Sequence, residues 1–273
     1  MGANKTSSGQ RRNKETNNQK KCFPMQVLYD TCKEVFENGG SGIVPSPENV
    51  QKLMDAMNGM TGADVGLRPG MQIFRPQRKE GLPSMSYIPV YNCNKFSIGI
   101  FCLPPSAVIQ LHNHPGMTVF CKLLFGIMYV NSFDWVNANP PNEDGVFSTA
   151  PLRTANGEIP AGALRLAKTK ADNEVSAPCN TSVLYPADGG NLHSFRALKP
   201  CAFLDVLAPP YNDSEGRHCT FYRKYNFSSL PEAGTISVPE EHRQEYAWLQ
   251  ETEKVEGSLI YGKEYTGPKI VTE

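Results

Sequence analysis

No CxxC pair occurs among the eight cysteines of this 273-residue chain, which speaks against a zinc ribbon or a thioredoxin-type redox motif. No run of about 18 apolar residues exists, so no membrane span is expected. Residues 1–21 hold no apolar stretch, so no secretory signal is read there. The protein is therefore expected inside the cell, in cytoplasm and nucleus. Histidine is scarce, with five in total. A net charge of zero conceals an asymmetry: residues 1–21 carry six basic side chains and Glu15, hence +5, and the remainder carries −5. The basic tail reads as a nuclear-localisation patch or a solvated, disordered arm. Its start, "MGANKT", matches the loose myristoylation pattern, which asks only for a glycine and a hydroxyl residue.

What is present falls into two compositional regimes. From Phe23 to about Met60 the apolar period is helical. "MQVLYDTCKEVF" places Val27, Leu28, Val35 and Phe36 on one stripe. "SPENVQKLMDAM" offers Ser46 as N-cap, Pro47 at the first helical position and Glu48 in the first turn. Val50, Leu53, Met54 and Met57 form its apolar face. Two short helices can imitate a helix-turn-helix, but neither has the Arg/Lys face that phosphate contacts require, so they read as packing elements and no direct nucleic-acid partner is expected.

After Asp64, Gly and Pro punctuate runs of β-branched and aromatic residues. Candidate strands are "KFSIGIFCL", "AVIQLHNHP", "MTVFCKLLFGIMYVNSFDWV" (two strands broken near Gly126), "ALRLAKTKA", "TSVLYP", "LHSFRAL" and "CAFLDVLAP". Such short strands with turn signals predict a mainly β, antiparallel sandwich or barrel. Residues 137–162 read as a long surface excursion. Cysteines inside "IFCLPP", "VFCKLLF" and "PCAFLDV" read as buried free thiols, kept reduced in an intracellular chain.

"LHNHPGM" carries His112 and His114 two positions apart. On a strand both point to one face, with Cα atoms about 7 Å apart, so two imidazoles can close on one metal. A bare HxH is also compatible with no metal at all. The third ligand is expected from His193, in "PADGGNLHSF", which follows a Gly-rich turn and opens another apolar run. His218, in "SEGRHC", and His242, in "PEEHRQEY", lie in charged segments and read as surface residues, the latter on a solvated helix. Asp205 interrupts the apolar "CAFLDVLAP", so its carboxylate is either buried and paired or faces a cavity.

An HxH strand followed some strands later by a further His after a "P…G…H" turn resembles the cupin metal site. The cupin pattern places a Glu four or five residues after the second His; here Thr118 or Val119 stands there. Three histidines without a carboxylate resemble the thiol dioxygenases. The blocks "VPSPENVQKLMDAM", "LPPSAVIQLHNHPGMTVFCKLLFGIMYVNSFDWV", "LYPADGGNLHSFRA" and "AFLDVLAPPYNDSEGRHCTFYRKY" together resemble the plant cysteine oxidases, relatives of the animal aminoethanethiol dioxygenase, over Phe23 to Phe227.

That resemblance implies a cupin (double-stranded β-helix, jelly-roll) barrel; with the compositional reading, the expected division is a disordered tail 1–21, a helical segment 22–64 packed on the barrel, and the barrel domain 65–273. It implies Fe(II) held by His112, His114 and His193, with O₂ as cosubstrate. The implied reaction converts the N-terminal cysteine of group VII ethylene-response transcription factors to the sulfinic acid, an oxygen-sensing step that feeds an N-degron route to degradation. It implies a functional acid at Asp205. Tyr211, after "APP", is expected near the mouth as a catalytic group or as an aromatic lid. Cys219 raises a Cys–Tyr crosslink as an open question, since Phe221 stands two residues on. A monomer is expected, with no membrane partner. Two other readings remain open: a three-His zinc hydrolase or lyase, and a non-enzymatic cupin-like binding protein.

Overall fold

The computed structural model describes residues 23–76, 83–136, 164–229, 240–253 and 259–272. The tail 1–21 and the excursion 137–162 lie outside them. Helix α1 (Pro24–Val35) starts on a proline at its first position, where a missing N–H costs nothing. It buries Met25, Leu28, Tyr29, Cys32 and Val35, the i, i+3, i+4, i+7 face. Leu28, Val35 and Phe36 of the expected stripe are buried, whereas Val27 lies off that face and is 40% exposed. In α2 (Pro47–Asn58) the Ser46 side chain accepts from the Asn49 N–H at 3.3 Å, and Val50, Leu53 and Met57 are buried.

Among the described residues twelve strands follow: β1 (Met85–Asn92), β2 (Ser97–Leu103), β3 (Val108–His112), β4 (Thr118–Phe125), β5 (Ile127–Trp135), β6 (Leu164–Ser176), β7 (Ser182–Leu184), β8 (Leu192–Ala197), β9 (Cys201–Ala208), β10 (Phe221–Asn226), β11 (Tyr246–Thr252) and β12 (Ile260–Gly262). One sheet has the order β12-β1-β2-β9-β4-β7. The other runs β10-β11-β6-β5-β8-β3 and closes where Phe221 of β10 pairs with His112 of β3. This is the closed antiparallel arrangement of a cupin jelly roll.

Four of these strands, β1, β10, β11 and β12, are not among the candidate runs of the sequence. Pro89 inside β1 looks like a breaker; it sits beside a register shift between Pro89 and Tyr91, where the ladder is already interrupted. In β11, Tyr246–Gln250 pairs with Leu164–Lys168 of β6, which sets its aromatics in the barrel wall. Gly126, between β4 and β5, has φ +98°, and a Cβ there would lie 2.3 Å from the Pro200 carbonyl oxygen. That position therefore demands glycine.

Alternation along β9 sorts the core into two layers. Ala202, Leu204, Val206 and Ala208 pack with Met25, Leu28 and Leu53 of the helices. Cys201 and Phe203 face the space between the sheets, with Ile109, Cys121 and Phe195. Asp205 has the parity of Cys201 and Phe203, so its carboxylate points between the sheets. The seven described cysteines are all free thiols. Among the described residues no helix is long and apolar enough to cross a membrane.

Candidate active site

His112 closes β3, His114 follows two residues later, and His193 enters from β8, where it pairs in register with His112. The three ring centroids are 4.8 to 4.9 Å apart. One nitrogen from each ring lies within 4.8 Å of the others, and all three side chains are buried. Burial holds each imidazole below its ordinary pKa, His114 and His193 well below, with the neighbouring imidazoles adding to the effect on those two. Neutral imidazole is the metal-binding form.

Hydrogen bonds set the tautomers. His112 Nδ1 lies 2.8 Å from the Gln110 carbonyl oxygen. A carbonyl only accepts, so Nδ1 carries the proton and Nε2 is bare. The Tyr211 hydroxyl donates to the Asn113 carbonyl oxygen at 2.7 Å and lies 2.9 Å from His114 Nδ1. Its one proton being spent on Asn113, the phenol oxygen accepts from His114 Nδ1–H, and His114 Nε2 is bare as well. The Cys219 thiol also hydrogen-bonds this phenol. Burial, then Cys219 and Asp205, push the phenol well above its ordinary pKa, so it stays a neutral donor.

The donor set fits one ion. Two nitrogens held at about 2.1 Å from a shared metal and at right angles are about 3.0 Å apart. His114 Nε2 and His193 Nε2 are separated by 3.0 Å. No acidic side chain joins this cluster among the described residues, in keeping with Thr118 and Val119 in the slots where cupins carry Glu. His218 is exposed. His242 is exposed on a 3₁₀ turn and pairs with Glu245 at 2.7 Å.

Asp205 is 5% exposed, and its Oδ1 has no hydrogen-bond partner. Burial raises its carboxyl to about 7, and a hydrogen bond with the Cys121 thiol works in the opposite direction. Cys121 and His193 line one cavity of about 180 Å³ between the sheets, with the apolar Val119, Leu123, Val130 and Phe195. Asp205 thus stands behind Cys121, which shares this cavity with His193.

Sequence reasoning missed the neighbours of Asp205. Gly99 of β2 pairs with it, and a Cβ at Gly99 would lie 2.4 Å from the Tyr87 hydroxyl. The glycine lets Tyr87 lie across the strand next to the acid, and burial, then Asp205, raise the Tyr87 phenol. An isolated glycine inside an apolar strand run is a signal of such close approach.

The PCO_ADO family model matches residues 56–270. The chain is 47% identical to plant cysteine oxidase 2 of Arabidopsis thaliana, over 96% of this chain and 87% of that protein. It is 46% identical to plant cysteine oxidase 1 of the same plant, over 89% and 79%. Human 2-aminoethanethiol dioxygenase is 32% identical over 82% of both chains. Long-range identity, the jelly-roll barrel and the three converging imidazoles agree: the chain belongs to the PCO_ADO family.

Proposed function

We propose that this protein is an Fe(II)-dependent thiol dioxygenase acting on cysteine at the free N-terminus of a peptide or protein. The observation that carries this reading is the buried set of three neutral imidazoles, two with Nε2 bared by a hydrogen bond on the opposite ring nitrogen. The similarity to plant cysteine oxidases and 2-aminoethanethiol dioxygenase supports thiol oxidation over hydrolysis on the same ligand set. The balance is simple: a thiol and one O₂ give a sulfinic acid, both oxygen atoms ending on sulfur.

Bound iron(II) would activate O₂ and favour the thiolate form of the substrate. The remaining work belongs to the protein. Three neutral ligands leave the ion its full charge, which a carboxylate in the vacant cupin slot would reduce. The cavity presents mostly apolar side chains to a bound substrate. Asp205 offers a buried carboxylate, with one free oxygen, to the substrate α-ammonium. Tyr211 holds His114 in its metal-binding tautomer.

We extend the reading to a biological role on the similarity to the plant enzymes: substrates that are group VII ethylene-response transcription factors, oxygen sensing in hypoxia through the N-degron route, and a monomer working in cytoplasm and nucleus. The test is anaerobic loading with iron followed by exposure of a Cys-initiating peptide to air. A gain of about 32 Da at sulfur, two oxygen atoms, is expected. No mass gain with stoichiometric iron bound, or activity with zinc alone, overturns the reading.

A further inference from the structure

His114 lies beyond the end of β3, so the strand ladder no longer pairs its peptide groups. A side chain replaces the missing strand. The Asn191 Oδ1 accepts the His114 N–H at 3.0 Å, and Asn191 Nδ2 donates to the His114 carbonyl oxygen at 2.9 Å. The second hydrogen of Nδ2 goes to the Tyr185 carbonyl oxygen at 2.8 Å. His114 is 3% exposed, so without Asn191 its N–H would be buried and unpaired.

Asn191 is itself held. Its backbone N–H donates to Asp134 Oδ1 at 2.9 Å, and the Gly190 N–H donates to both carboxylate oxygens at 3.0 and 3.1 Å. Asp134 is buried at the end of β5. Lys170 lies 3.5 Å from it and pairs with Asp188 at 2.6 Å. The turn this carboxylate grips cannot be remade with larger residues: Gly190 has φ +86°, and a Cβ there would lie 2.6 Å from the Ser132 hydroxyl. Two residues after Asn191 comes His193, whose Nε2 is 3.0 Å from His114 Nε2.

We propose that Asn191, anchored by Asp134, is the positioning group that sets the spacing between the second and third metal ligands. The two histidines sit 79 residues apart in the chain, and this amide ties the backbone of His114 to the chain two residues before His193. Only Asn suits the position. Asp keeps the acceptor but loses both donations and sets a carboxylate against two carbonyl oxygens; Ala loses all three bonds. Groups that orient metal ligands typically carry about 10- to 100-fold in metal affinity.

The proposal rests on the His triad holding a metal, and the test separates the two. Affinity of the apoprotein for Co²⁺ is measured by competition with a chromophoric chelator, alongside the Co²⁺ absorption spectrum and the melting temperature of the metal-free protein. The proteins are wild type, Asn191→Ala, Asn191→Asp, Asp134→Asn and, as control, Glu48→Gln, exposed in the first turn of α2. The expected result is a loss of at least about tenfold in Co²⁺ affinity, with an altered ligand-field spectrum, in folded Asn191→Asp and Asp134→Asn, and no change in the control. If Asn191→Ala fails to fold, the other two variants decide. Wild-type affinity and spectrum in both overturn the proposal, whatever happens to melting. Wild-type protein that binds no Co²⁺ or Fe²⁺ overturns the metal reading instead.

Discussion

His114 and Tyr211 are joined by a 2.9 Å contact between imidazole Nδ1 and phenol oxygen, while the same hydroxyl donates to the Asn113 carbonyl. The phenol thus contacts the Asn113 backbone on one side and the His114 imidazole on the other.

Tyr211→Phe removes the acceptor for His114 Nδ1–H and the donor for Asn113. A buried unpaired group costs about 1–3 kcal/mol, and metal affinity is expected to fall by about tenfold. Chelator competition checks this. Unchanged affinity with a reduced turnover number would place Tyr211 among the groups that meet substrate.

The three site histidines are predicted to behave alike and unlike the other two. His112→Ala, His114→Ala and His193→Ala should each lose most bound iron, by metal analysis of anaerobically loaded protein. His218→Ala and His242→Ala should keep it, because both side chains are exposed on the surface. Full retention in His193→Ala would remove β8 from the site.

Asp205 gives a pH signature in the metal-free protein. Its carboxyl rises from 3.8 unfolded to about 7 folded. Between those limits the native state holds a proton that the unfolded chain has lost, so this residue's contribution to stability falls as pH rises. Asp205→Asn abolishes that loss. The melting temperature of the variant minus that of wild type is therefore expected to increase from about pH 4 to about pH 7. Subtraction cancels the opposite slope of the three buried histidines. A flat difference would mean that Asp205 is ionised and paired.

The same substitution tests the amine contact. In iron-loaded Asp205→Asn, turnover of a Cys-initiating peptide is expected to drop at least about tenfold, roughly 1.4 kcal/mol in the barrier. N-acetylation should abolish turnover by wild type. Equal rates for free and acetylated peptides would take the α-ammonium out of recognition.

Gly126→Ala meets both a left-handed φ and the Pro200 carbonyl oxygen. A destabilisation of at least about 2 kcal/mol is expected, read as a lower midpoint in urea. A midpoint within error of wild type would show that the β4–β5 corner relaxes freely.

The local levels of this structure were legible in the sequence. The period of "VQKLMDAM", the N-cap at Ser46 and the break at Gly126 are set by neighbours a few residues away, and so they could be read from a few residues. His112 and His114 were identifiable for the same reason: two positions on a strand share a face. His193 was found from its turn, since Gly189 and Gly190 both take positive φ there. The stripe of α1 was misjudged at Val27 because which face is buried depends on the sheet that α1 covers.

What only the tertiary structure decided is who meets whom. Nothing in "NLH" says that Asn191 stands in for a strand beside His114, and nothing in "SIGIF" says that Gly99 makes room for Tyr87 beside Asp205. Those relations depend on strand order and register between segments 77 and 106 residues apart in the chain. A side chain's type announces which bonds it can make; the register of the closed barrel selects the partner.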